Sequence, residues 1–168
     1  MGTDRLTHID ESGRARMVDV SEKAVTQRTA RAAGRVLCTA EAVRLIASNA
    51  TAKGNVIETA RLAGIMGAKR TPDLIPLCHP LPLAHIDVEV SLDEEAPAVL
   101  IEATTRVEAT TGVEMEALTA VVVAGLTVID MVKSVDRWAV ITDVRLLSKE
   151  GGRSGNLRRP SEDQRSQS

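Results

Sequence analysis

The stretch LAHIDVEVSL at positions 83–92 alternates apolar and polar residues without a break from Ala84 onward. Ile86, Val88, Val90 and Leu92 face one way; His85, Asp87, Glu89 and Ser91 face the other. DEEAPA at 93–98 reads as a turn. VLIEATTRVEA at 99–109 then alternates again, with Val99, Ile101, Ala103, Thr105 and Val107 on one side. The two strands predict an antiparallel hairpin with one covered face and one partly wet face.

Working upstream, QRTARAAGRVLC at 27–38 reads as a weaker strand. Thr39 suits a helix cap, and a short helix follows over 40–49. Gly54 interrupts, and VIETARLAGIMGAKR at 56–70 predicts a second helix with Val56, Ala60, Ala63 and Met66 or Gly67 on one face. TPDL is a fresh start, with Thr71 as cap and Pro72 at the first helical position. Downstream, 111–133 is a long helix and WAVITDVRLL at 138–147 a last strand. The order strand, helices, strand, strand, helix, strand is the split β-α-β pattern. It predicts an α+β, ferredoxin-like sandwich with an antiparallel sheet and additional helices.

At 168 residues the chain suits one domain. The expected division is a polar segment over 1–17, a single compact domain over 18–150, and a Gly-, Ser- and charge-rich end over 151–168 whose last part is disordered. Trp138 is the one aromatic residue, so the core must be aliphatic. Two cysteines, Cys38 and Cys78, and a start without an apolar signal segment predict a cytoplasmic protein. A formal charge of −2 and the lack of aromatic stacking platforms exclude a general nucleic-acid binder.

From Ala117 to Ile129 only Thr119 and Thr127 are polar. An ordinary surface helix carries an apolar stripe, not an apolar jacket. The run is short of the ~20 residues that span a bilayer, so no membrane association is expected. One side should lie on the sheet and the other on a second subunit, giving a homo-oligomer. The alternative has the extra helices of the same chain cover it.

Four groups of residues could carry chemistry. In LIPLCHP at 74–80, Pro76, Pro80 and Pro82 stiffen the backbone around Cys78 and His79. Neighbours in an extended segment point apart, so the two are a poor nucleophile–base pair, and no zinc-ligand spacing is present. A proline-rich edge with Cys78 in the core meets the same pattern. In TGVEMEALT, Glu114 and Glu116 fall in the first helical turn, where the helix dipole favours carboxylates. Two residues apart, they should not share a face. Gly112 admits a close approach to the helix start. In DMVK, Asp130 and Lys133 share a face after the apolar run and should be partly desolvated, which suits proton transfer; a plain helix-end ion pair meets it as well. Finally Arg28, Arg31, Arg35, Lys53, Lys69, Arg70 and Arg153 could form a local anion pocket, or be solvated surface.

Together, LTHID, MVDVS, AKRTPDLIPLCHPLPL, TGVEMEALTA, DMVK and VRLLSKEGGRSG resemble the cyclic pyranopterin monophosphate synthase family, molybdenum cofactor biosynthesis protein C. The likeness runs from about Leu6 to Gly155. It implies a phosphorus–oxygen lyase that converts 3′,8-cyclo-7,8-dihydro-GTP to cyclic pyranopterin monophosphate and releases pyrophosphate. It implies a ferredoxin-like fold, no redox cofactor or metal site, and a hexamer built as a trimer of dimers, with sites at subunit interfaces. Whether Mg²⁺ accompanies the triphosphate stays open. By position, Asp130 matches the catalytic aspartate, with Lys133 beside it and Lys53 as an acid/base candidate. Leu77, Cys78 and His79 match a substrate-binding LCH segment, and Met115 and Glu116 a binding ME pair, with Glu114 alongside. Arg28 and Lys69 match phosphate-holding positions. Arg153 stands where the family often has lysine; it keeps the charge but cannot act as a base. A non-catalytic oligomer that senses a nucleotide or anion fits the fold and the cations, but leaves Asp130 and Lys133 without a task.

Overall fold

The computed structural model describes residues 14, 17, 19–20, 22–153 and 155–160. The polar start and the last part of the tail lie largely outside the described residues. The elements are β1 (Thr26–Leu37), α1 (Ala40–Ala47), α2 (Val56–Lys69), α3 (Thr71–Leu74), β2 (His85–Asp93), β3 (Ala98–Ala109), α4 (Glu114–Val132), β4 (Val140–Glu150) and β5 (Leu157–Arg158). The strands form one antiparallel sheet in the order β2-β3-β1-β4-β5. Its first four strands have the ferredoxin-like order, with helices on one face.

The hairpin pairs as the alternation requires. Ile86 lies opposite Thr105, Val88 opposite Ala103, Val90 opposite Ile101 and Leu92 opposite Val99, all turned to the helical side. Small residues on β1 let α4 come close. A Cβ at Gly34 would stand 2.7 Å from Val121 Cγ1. The core is aliphatic throughout, and its largest fully buried side chains are valines and threonines. Without aromatics to fill space, close approach of backbones replaces side-chain volume.

A second side of α4 is covered by α2 of the same chain, while Leu126 stays exposed and Leu118, Val122 and Ile129 are half-buried. α2 packs along it through Ala60, Gly64 and Gly67, against Ala120, Val123 and Ala124. The chain's own helix thus covers part of the jacket, as the same-chain alternative has it, and a partly exposed apolar stripe from Leu118 to Ile129 is left over. By length and composition α4 would suffice to cross a membrane, with 19 residues and a mean hydropathy of 1.9. It is instead the central core helix. Gly67 marks the tightest approach, where a Cβ would meet the Cβ and Cγ2 of Val123 at 2.8 Å. Gly67→Ala gains helix propensity but overpacks this contact. We expect a net loss of about 1–2 kcal/mol, read as a drop of several degrees in the thermal midpoint. An unchanged or raised midpoint would refute the tight α2–α4 seam.

Other differences are local. Thr71 is not the cap of α3 but its first residue; it is fully buried and its hydroxyl donates to the Ala68 carbonyl at 3.0 Å. Met66 is exposed, so Gly67 holds the inward position. α4 begins at Glu114, three residues later than expected, because Thr111–Val113 form the turn that leads into it. β4 extends to Glu150 and carries two irregularities, one of which inserts Leu147 between the pairings of Leu146 and Ser148. β5 was not foreseen.

Candidate active site

The buried Thr105 hydroxyl donates to the Val113 carbonyl at 3.0 Å. An inward strand position thereby fixes the N-terminus of α4. Opposite it runs the proline-framed segment after α3, where Cys78 N donates to the Ile75 carbonyl at 3.1 Å and Ala84 N to Arg106 at 2.9 Å. Between them opens a cleft of about 570 Å³ that brings together Leu77, Cys78, His79, Glu114, Met115 and Glu116. Val20 and Lys23, from the segment before β1, complete one wall.

Glu116 lies on the floor, 3% exposed. Burial pushes its carboxyl up to about 7, and the charge of Glu114 adds to the rise. Near neutrality it can therefore hold or release a proton. The Cys78 thiol is also raised, by burial and then by the charge of Glu116, so it stays protonated and is a wall, not a nucleophile. Glu114 and Glu116 were expected on different faces, yet both line the cleft. Glu114 is the first helical residue, and its carboxylate folds back over Gly112. Gly112 admits that carboxylate.

Lys149 meets Glu114 at 3.0 Å, both largely buried. Arg28 sits beside them, its Nη2 donating to the Thr110 carbonyl at 3.2 Å. The turn at Gly151 and Gly152 wraps around the guanidinium. Both glycines have positive φ, and a side chain at either would strike Arg28 or the backbone before it. Arg28 is the only β1 arginine on this side. Arg31 and Arg35 point to the open face and pair with Glu102 and Asp143. The basic residues do not form one pocket, and Lys69, exposed at the end of α2, lines neither cavity.

Lys53, Asp130 and Lys133 form a second cluster at the other end of α4. Lys53 Nζ reaches Asp130 Oδ2 at 2.7 Å and its carbonyl at 2.8 Å; Lys133 Nζ reaches Oδ1 at 2.7 Å. The expectation of a desolvated pair is not met in the single chain, where the Asp130 side chain is 56% exposed. Hydrogen bonds from Lys133 and then Lys53 hold its carboxyl down at about 2. Asp130 is thus a fixed anion that orients two ammonium groups. In the turn after α4 the buried carboxylate of Asp136 accepts from Thr39 N at 2.7 Å and Trp138 N at 3.0 Å. This ties the turn after α4 to the start of α1, which leads on to the Lys53 loop. Among the described residues, no three His, Cys, Asp or Glu side chains converge as a metal site.

The family profile described as the MoaC family matches residues 17–152, spanning both clusters. The chain belongs to the MoaC family. It is 61% identical over 156 residues to the cyclic pyranopterin monophosphate synthase of Streptomyces griseus, covering 93% of this chain and 87% of that one. The protein of the same name from Streptomyces coelicolor is 62% identical over 156 residues, covering 93% and 91%. That of Cereibacter sphaeroides is 59% identical over 152 residues, covering 90% and 96%. In this MoaC chain, sequence reasoning missed Lys149, Lys23 and Asp136. Lys149 is the instructive case. The inserted Leu147 moves it to the inward face opposite Ala30, which strict alternation along β4 could not reveal.

Proposed function

We propose that this chain is a cyclic pyranopterin monophosphate synthase, converting 3′,8-cyclo-7,8-dihydro-GTP to cyclic pyranopterin monophosphate with release of pyrophosphate in molybdenum cofactor biosynthesis. The observation that carries the reading is the single cleft joining the LCH and ME segments, 36 positions apart in sequence between Cys78 and Glu114. The name of the relatives supports it. In this reading His79, Met115 and Glu116 hold the heterocycle, and Glu116 hydrogen-bonds its polar edge. Arg28 and Lys149, beside the Gly151–Gly152 turn, receive phosphate oxygens, with Lys69 and Arg153 as outer cations. Lys53 and Lys133 exchange protons as the imidazole ring opens and the pyrazine ring closes, and Asp130 keeps both in place.

The two clusters lie ~21 Å apart along one α4, counting 1.5 Å per residue from Glu116 to Asp130. That is too far for both to act on the same reacting atoms. A site that uses both needs the LCH–ME end of one protomer and the Lys53–Asp130 end of its partner. This supports a homo-oligomer, read here as a hexamer made of a trimer of dimers. The conversion involves no net electron transfer, so no redox cofactor enters the reading, and any Mg²⁺ arrives with the triphosphate. The unbridged Cys38 and Cys78 suit a cytoplasmic location.

Purified protein supplied with the cyclic dihydro-GTP intermediate is expected to release pyrophosphate stoichiometrically with product. Tight binding without release would favour the sensor instead.

A further inference from the structure

The open face of the sheet, opposite the helices, carries charges of both signs, unevenly distributed. Asp87 and Glu89 on β2 and Glu102 on β3 outnumber Arg106 in one half; along β4 and β5, Arg145, Arg158 and Arg159 outnumber Asp143, which pairs with Arg35, and Glu150. In the basic half lies a cleft of about 380 Å³ whose polar walls are Arg31, Arg145, Ser148, Arg158 and Arg159. These guanidinium groups come from three strands and the chain just past β5. The short pairing of β5 on β4, with Arg158 opposite Ser148 and Arg159 N donating to the Leu147 carbonyl at 2.8 Å, is what places the last two.

No carboxylate lines the cleft. Arg31 is bridged to Glu102, and Arg145 Nη1 donates to the Asp143 carbonyl at 2.7 Å, which neutralises no charge. Arg158 and Arg159 have no ion pair among the described residues. Like charges gathered in a concave site repel one another, and a multiply charged anion relieves that repulsion. Planar guanidinium forks match phosphate oxygens two at a time. We propose that this arginine cleft is a binding site for a di- or triphosphate group, separate from the candidate active site and on the opposite face of the sheet. The inference does not depend on the reaction assigned above.

Calorimetric titration of the full chain with inorganic pyrophosphate, GTP and orthophosphate, at fixed moderate salt, tests it. Arg158 and Arg159 are exposed, so the R158A/R159A double variant should keep the wild-type thermal midpoint and assembly state. The expected result is that wild type binds pyrophosphate or GTP at a site that the double variant loses or binds at least tenfold more weakly. Orthophosphate, too small to bridge several forks, should bind more weakly than either. GTP binding as well as pyrophosphate would assign the site to a nucleotide's phosphate chain, and pyrophosphate alone to the free anion. Superimposable wild-type and variant isotherms, or equal binding of all three anions, would overturn the proposal.

Discussion

Asp130→Asn lowers pyrophosphate release by about 10²–10⁴-fold, the range for loss of a positioned acid–base group. The side chain keeps its size but loses the charge that holds two lysines at 2.7 Å. With its carboxyl held near 2 by Lys133 and Lys53, Asp130 is ionised at every working pH and does not itself carry the proton. Its loss should therefore act through the lysines, and Lys53→Ala should be comparably damaging. The depressed carboxyl stabilises the fold above its ordinary titration range, and that support is lost as pH falls towards 2. The cluster is so exposed that neither variant should unfold or dissociate. A second measurement separates this from general damage. Asp130→Asn mixed and reassembled with His79→Ala should recover activity, although each variant alone is inactive. In a two-fold interface, random pairing leaves about a quarter of the sites with both halves intact. Mixtures no more active than their components would refute the shared site, and a fully active Asp130→Asn would refute the role of Asp130.

Glu116→Gln should separate stability from activity. A carboxyl raised to about 7 by burial holds its proton more tightly in the folded chain than in the unfolded one. Stability therefore falls as pH rises from the ordinary carboxylate value towards 7, and levels off above it. Glutamine keeps the shape and never ionises. Above pH 7 the variant should be more stable than wild type, by on the order of 3 kcal/mol for a shift of this size, and near pH 4 the two should be alike. Turnover should fall at least tenfold, and any limb near pH 7 in the wild-type rate profile should vanish in the variant. Thermal midpoints at pH 4.5 and pH 8, with rates across the same interval, decide it. A wild-type midpoint that does not fall relative to the variant would show that Glu116 is not buried as a proton-holding group.

The hairpin was legible because alternation needs only two faces of different wetness. Each inward position from Ile86 to Val107 is where the pattern requires it. The long apolar helix was equally plain, but its covering was not. Gly64 and Gly67 read as weak helix formers until Val123 and Ala124 stand opposite them. The LCH and ME strings marked the cleft as strings. Their chemistry did not, because a first-turn glutamate reads as a dipole partner whether or not the fold buries it.

From its residues alone the chain determined its four long strands, its helices, its ferredoxin-like order and the identity of the segments that matter, since period and proline or glycine placement act locally. Only the tertiary structure decided the protonation of Glu116, the pairing of Asp130 with Lys53 and the gathering of Arg31, Arg145, Arg158 and Arg159 in one cleft. Electrostatics depends on distance and burial between residues far apart in sequence, and those are set only when the sheet pairs and α2 closes over α4.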